Sequence, residues 1–200
     1  MFIFFSICSC YETKYQYECT WLKIFYHKST GGVFFKNFSQ SMFSLDPNLY
    51  SIFSFLDDRF KINGKFEFLL EYPELSGYNR WRQALLPWNN DEITGNAAEG
   101  YENVYNTWSG SYWGGLVKSN HGCGVHTLID GSAGTIYWHY AIGCTSTYYS
   151  PQYPGPDGYL VVECCLWIRL SDTSLLNKET IIITQRHIPL VHLLYLLIVQ

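Results

Sequence analysis

KFEFLLEY (65–72) decides the fold class. Phe66, Phe68, Leu70 and Tyr72 fall on one side of an extended chain, while Glu67, Leu69 and Glu71 fall on the other, the two-residue period of a half-buried strand. The turn signal ING (62–64) precedes it and Pro73 ends it. RWRQALL (80–86) follows as a second strand candidate before Pro87. Further along, VECCLWIRL (162–170) repeats the rhythm, with Val162, Cys164, Leu166 and Ile168 opposed to Glu163, Cys165, Trp167 and Arg169.

Between these stretches lie short candidates at 101–108, 112–119, 125–130 and 136–142, with a last one over 159–170. In the fourth, Ile136, Trp138, Tyr140 and Ile142 share a face opposite Tyr137, His139 and Ala141. The separators are SG, the NHGCG tract, GSAG and the Pro/Gly-rich stretch 150–158. Strands spaced 8–12 residues apart predict two packed antiparallel sheets. No βαβ unit of about 30 residues occurs, which argues against a doubly wound fold. NNDEITGNAAEG (89–100) reads as a long surface loop.

This rhythm sets the boundaries. Residues 57–170 form the predicted sandwich domain and hold six of the seven tryptophans. Residues 1–56 show neither a helical period nor clean alternation and read as a poorly specified extension, with one short element expected around residues 52–56. Residues 171–200 read as a hydrophobic tail. IPLVHLLYLLIVQ (188–200) is strongly apolar, but it is 13 residues long, against the roughly 20 needed to span a bilayer, and a membrane role for it is set aside. MFIFFSICSC at the start lacks a basic n-region and does not read as a secretory signal.

Aromatic residues make up 18% of the chain and charged residues only 15%, the reverse of a disordered composition. The net charge is −4, and residues 57–170 carry seven basic against twelve acidic groups. Nucleic acid is therefore not an expected partner, since phosphate backbones are met by clustered Lys and Arg. Seven cysteines cannot all pair with one another, and no disulfide framework is visible in their spacing. A reduced, cytoplasmic setting is the simpler reading.

Few residues suggest chemistry. His121, Cys123 and His126 lie within six residues and supply nitrogen and sulfur, but their spacing matches no standard zinc site and loop residues are the preferred reading. Glu67, Glu71, Glu163 and Asp130 are the acids from which a glycan-cleaving pair would be drawn, and nothing singles out two of them. Asp130, in LIDGS, reads as a turn former bonding to nearby amides. Neither a nucleophile motif nor a phosphate-binding glycine pattern occurs, and no cofactor is expected.

Binding remains. Trp81, Trp108, Trp113 and Trp138 supply flat apolar surface and Asn79, Asn106 and Asn120 hydrogen-bonding groups, a mixture common to glycan sites and protein interfaces. Most of these tryptophans are expected in the core. The candidate ligand residues are the loop tyrosines Tyr148, Tyr149 and Tyr153 with Asp157 in PGPDG, and the arginines Arg80 and Arg82 flanking Trp81, for which a solvated strand face or local ion pairs are the preferred reading.

KFEFLLEYPELSGYNRWRQ, WGGL (113–116), LIDGS (128–132), WHYAIG (138–143) and the PGP turn before LWIRL together resemble an uncharacterised Trp/Gly-rich domain of large trichomonad protist protein families. The resemblance spans about Arg59 to Leu170 and implies no activity. The closing strand is also similar to those of discoidin-like sandwiches, an analogy of fold alone. The expected architecture is an antiparallel β-sandwich, jelly-roll or discoidin-like. The expected function is a non-enzymatic module binding a protein or a glycan through its loops, with a glycan hydrolase or a structural domain as alternatives.

Overall fold

The computed structural model describes residues 7–9, 20–28, 44–46, 48–90, 97–118, 129–132, 139–142 and 153–171. KFEFLLEY becomes β5 (Phe66–Glu71), and its apolar side is fully inside: Phe66, Phe68, Leu70 and the following Tyr72 are all buried. Each such side chain removed from water contributes about 1.5–3 kcal/mol, enough to pin the register. β5 runs antiparallel to β6 (Tyr78–Gln83) on one side and to β12 (Glu163–Arg169) on the other. The alternation read in β12 holds, with Cys164, Leu166 and Ile168 facing the same core as Phe68 and Leu70.

The large sheet is all antiparallel. Its order is β3 (Ser44–Asp46), β4 (Leu49–Ser51), β2 (Thr20–Lys28), β12, β5, β6 and β7 (Glu102–Asn106). β1 (Ile7–Ser9) pairs with residues 20–22 of β2, on the edge where β4 pairs with residues 25–27. Four of the strands thus come from residues 7–51, where the sequence shows no clean alternation. The reason is local to β2. Its register against β12 slips between Phe25 and Lys23, which leaves Ile24 as an extra residue, and both Ile24 and Phe25 turn inward. A bulge of this kind breaks the two-residue period on which sequence reading depends.

A second, smaller layer covers the inner face. β8 (Trp113–Lys118) pairs with β9 (Ile129–Ser132), and Leu116, Ile129, Tyr140 and Ile142 join the core built on Phe66, Phe68 and Trp81. Trp81 and Trp113 meet edge to face at 4.9 Å, while Phe53 stacks between Phe25 and Trp88 at 5.5 and 4.3 Å. Two amides on the inner face of β6 bind the layers together. Gln83 Oε1 accepts from Leu116 N (3.1 Å) and from Trp81 Nε1 (2.7 Å), and its Nε2 donates to Leu116 O (3.1 Å) and Leu85 O (2.7 Å). Asn79 grips Trp108 in the same manner, accepting from its N at 3.0 Å and donating to its O at 2.8 Å.

The fold is all-β and antiparallel, with a second small sheet on the core side. Among the described residues the only helical pieces are single 3-10 turns, and no helix is long and apolar enough to cross a membrane. Two expectations change. The strand expected over 80–86 is shifted to Tyr78–Gln83, after which Ala84 N bonds to Glu99 O and the chain leaves the sheet. At 139–142 no alternating strand forms: Tyr140 has φ 56°, and Tyr140, Ala141 and Ile142 are all buried. Residues 136–138 lie outside the described residues. A short pair, β10 (Tyr153–Pro154) with β11 (Leu160–Val161), closes beside them through Tyr140 N to Gly155 O and Ala141 N to Pro154 O.

Candidate functional site

Two tight turns meet at one corner of the smaller layer. In SGSY, Trp113 N bonds back to Gly110 O at 3.2 Å, and the central residues Ser111 and Tyr112 sit at φ 52° and 59°. In PGPDG, Tyr159 N bonds to Pro156 O and Asp157 sits at φ 51°. Left-handed backbone suits Gly, Asn or Asp in such turns and costs about 1–2 kcal/mol for other residues.

Tyr140 ties the turns together from beneath. Its buried hydroxyl donates to Gly110 O at 3.0 Å, with Asp157 Oδ1 sharing the proton at 3.3 Å. Burial, and then the Asp157 charge, push the Tyr140 hydroxyl pKa far above its ordinary value, so it remains a donor. A Cβ at Gly110 would fall 2.1 Å from Asp157 Oδ1, so a larger residue there would push the Asp157 side chain out of its present position. Ser132 Oγ adds a bond to Ser111 O at 3.1 Å. His139, next along the chain, is half-buried, and burial lowers its pKa while Asp157 opposes the shift.

Four of the five described non-glycine residues with positive φ (Ser111, Tyr112, Tyr140 and Asp157) therefore gather at this corner. The fifth, Asn63, occupies the ING hairpin turn, where the conformation is ordinary. Tyr112 is 70% exposed and Tyr159 58%, the two most exposed large apolar side chains described, with the exposed Leu160 following Tyr159 in sequence. Strain at Ser111, Tyr112 and Tyr140, held by surrounding structure next to exposed aromatic rings, is what a preorganised ligand clamp looks like.

Of the residues singled out from sequence, Asp157 belongs to this corner. Tyr153 is placed by its backbone in β10, while Tyr148, Tyr149, Asn120 and the group His121, Cys123 and His126 lie outside the described residues. Asn79 is not a ligand group: it is fully buried and engaged with Trp108. Asn106, at the end of β7, lies 3.2 Å from the Tyr101 hydroxyl. Sequence reading missed Tyr112, Tyr140 and Tyr159. The flanking SG and PDG turn residues were the available signal, but which side chains a turn leaves outside depends on its backbone type.

Arg80 and Arg82 lie elsewhere, on the outer face of the large sheet. They point away from Trp81, which is buried on the opposite side of β6, and no described contact joins them to Asp157. Both reach Glu67. Arg80 Nε donates to its Oε1 at 2.6 Å, Arg82 Nε to its Oε2 at 2.9 Å, and Arg169 Nη1 to the same Oε2 at 3.2 Å. Burial alone would raise the Glu67 pKa, but the guanidiniums of Arg82, Arg80 and Arg169 reverse this and hold it below the ordinary value. A carboxyl clamped in its ionised form has no proton to give a leaving group, so Glu67 is poorly suited to a glycosidase acid.

The other acids are likewise occupied. Glu71 accepts from Trp167 Nε1 at 3.0 Å, Glu163 from the Tyr26 hydroxyl at 2.9 Å, and Asp130 Oδ1 from Ser132 N at 3.1 Å within β9. Cys164 and Cys165 are buried, and burial is the main cause holding the Cys165 thiol well above its usual pKa. Among the described residues no three His, Cys, Asp or Glu side chains are grouped to hold a metal ion.

No family model, curated protein or solved structure matches the chain.

Proposed function

We propose that the chain is a non-enzymatic binding module that takes its ligand on the corner formed by the 110–113 and 155–159 turns. The observation that carries this reading is the convergence of Ser111, Tyr112, Tyr140 and Asp157, all held at positive φ, beside the exposed rings of Tyr112 and Tyr159. Tyrosine offers a rigid apolar face with a hydroxyl at its tip, which suits the C–H faces and hydroxyls of a sugar. Asp157 and the Ser111 carbonyl add acceptors of the kind sugar hydroxyls seek.

Binding to a glycan array, repeated with Tyr112→Asn and Tyr159→Ser, tests this. Asn tolerates left-handed backbone better than Tyr, so Tyr112→Asn is expected to stabilise the fold by about 0.5–1 kcal/mol in urea titration while abolishing glycan binding. Strain without function predicts the first effect and not the second. Glycan binding retained by both variants would remove the corner from the reading, and a stable protein with no glycan hit would move the reading to a protein ligand or a structural role.

A further inference from the structure

The outer face of the large sheet is laid out in rows. One runs Trp21, Arg169, Glu67, Arg82, Glu102 from β2 to β7, and the next runs Lys23, Trp167, Leu69, Arg80, Tyr105. The carboxylate of the first row holds three guanidiniums, those of Arg169 and Arg82 in its own row and that of Arg80 in the next. Glu67 has no exposed surface, whereas the Arg80, Arg169 and Arg82 side chains remain 21, 31 and 35% exposed. Arg82 Nη1 also reaches Glu102 Oε1 at 2.9 Å, and Lys65 Nζ reaches Glu102 Oε2 at 3.3 Å. Arg80 lies over the Trp21 ring at 5.5 Å.

Four cations thus share two carboxylates, an excess of two positive charges on a segment whose acids otherwise outnumber its bases. Glu67 lies beneath the three arginines and gathers their heads against mutual repulsion. Each guanidinium has five N–H donors, and Glu67 engages no more than two of any one.

We propose that Arg80, Arg82 and Arg169 form a receptor for one compact oxyanion, a carboxylate, sulfate or phosphate group, with Glu67 as the buried pin that preorganises it. Planar guanidinium forks match the oxygen geometry of these groups, and partial desolvation strengthens the contact. The Trp21 ring lies under the Arg80 guanidinium. The site is separate from the corner described above and does not depend on it.

The test is titration of the full chain with sodium sulfate against sodium chloride at matched ionic strength, read by the NMR resonances of the arginine Nε–H groups. Saturable shifts confined to Arg80, Arg82 and Arg169 are expected. Arg169→Gln should weaken the sulfate constant by roughly tenfold, the worth of one charge-assisted hydrogen bond, while Arg59→Gln, which makes the same charge change at an exposed turn, leaves it unchanged. Arg80→Lys keeps the charge and the fold but loses the fork, and it should weaken binding as well. Titration with methyl glucuronide and with a phosphoserine peptide then tells a sugar acid from a phosphate ester by which binds tighter. Shifts that fail to saturate, or that persist unaltered in folded Arg169→Gln or Arg80→Lys, overturn the proposal.

Discussion

Gln83 and Tyr72 show how differently a buried polar group can be treated. Both face the core, and for Tyr72 alternation in KFEFLLEY groups it from sequence alone with Phe66, Phe68 and Leu70. Gln83 makes four hydrogen bonds and substitutes for a strand partner opposite Leu116, whereas the Tyr72 hydroxyl has no partner among the described residues. Gln83→Leu strands the Leu116 amide, its carbonyl and the Trp81 indole N–H, and should cost about 3 kcal/mol in urea-monitored unfolding. Tyr72→Phe should do the opposite, leaving stability unchanged or raising it by about 1 kcal/mol. A loss above that size would mean the hydroxyl is bonded. Neither outcome is legible in the sequence, because Leu116 lies 33 residues from Gln83; the period tells which side a residue faces and nothing about what it meets.

Glu67 belongs to the element scale, since it binds β12, β5 and β6 edge to edge. Sequence alternation assigned it correctly to the outer face of β5, and ion pairing along the strand was among the readings of Arg80 and Arg82. What alternation lacked is Arg169, brought alongside by a strand that begins almost 100 residues later. The folded Glu67 pKa lies below its ordinary 4.5, so the unfolded chain binds more protons and stability rises with pH in that window. The contribution is therefore complete above about pH 4.5 and fades as pH falls toward the folded value. Glu67→Gln is expected to cost about 3 kcal/mol at pH 7, by leaving three guanidiniums without their carboxylate. Its stability curve should also be flatter than that of the parent below pH 4.5. Parallel curves over pH 3–7 would show that the carboxylate is not held ionised by its neighbours. Elsewhere elements escaped reading for backbone reasons: the extra residue at Ile24 in β2 and the positive φ of Tyr140 both break a two-residue period that the flanking residues otherwise keep. At the corner, PGPDG marked a turn, yet the exposed Tyr112 and Tyr159 follow from turn types that composition does not specify.

At the scale of the whole molecule, the question is where the folding unit starts. The punctuated, aromatic-rich rhythm begins at Asp57, but β12 is a central strand only because β2 pairs with it from Lys28 to Trp21. Removing residues 1–56 would turn β12 into a bare edge and strip Leu22, Ile24, Phe25, Ile52 and Phe53 from the core they share with Leu166 and Ile168. At about 1.5–3 kcal/mol for each buried side chain, the loss is comparable to the entire 5–15 kcal/mol of a typical domain. A chain starting at Asp57 is therefore expected to be unfolded or aggregated, with collapsed dispersion in its 1H–15N spectrum, whereas one starting at Thr20 keeps a cooperative urea transition. Exposure of an apolar edge on β12 also predicts that the shorter chain associates through strand pairing. A cooperative transition of near-parent midpoint for the Asp57 chain would show instead that the sheet from β12 to β7 and its covering pair stand alone, with β1 to β4 added to a core already complete.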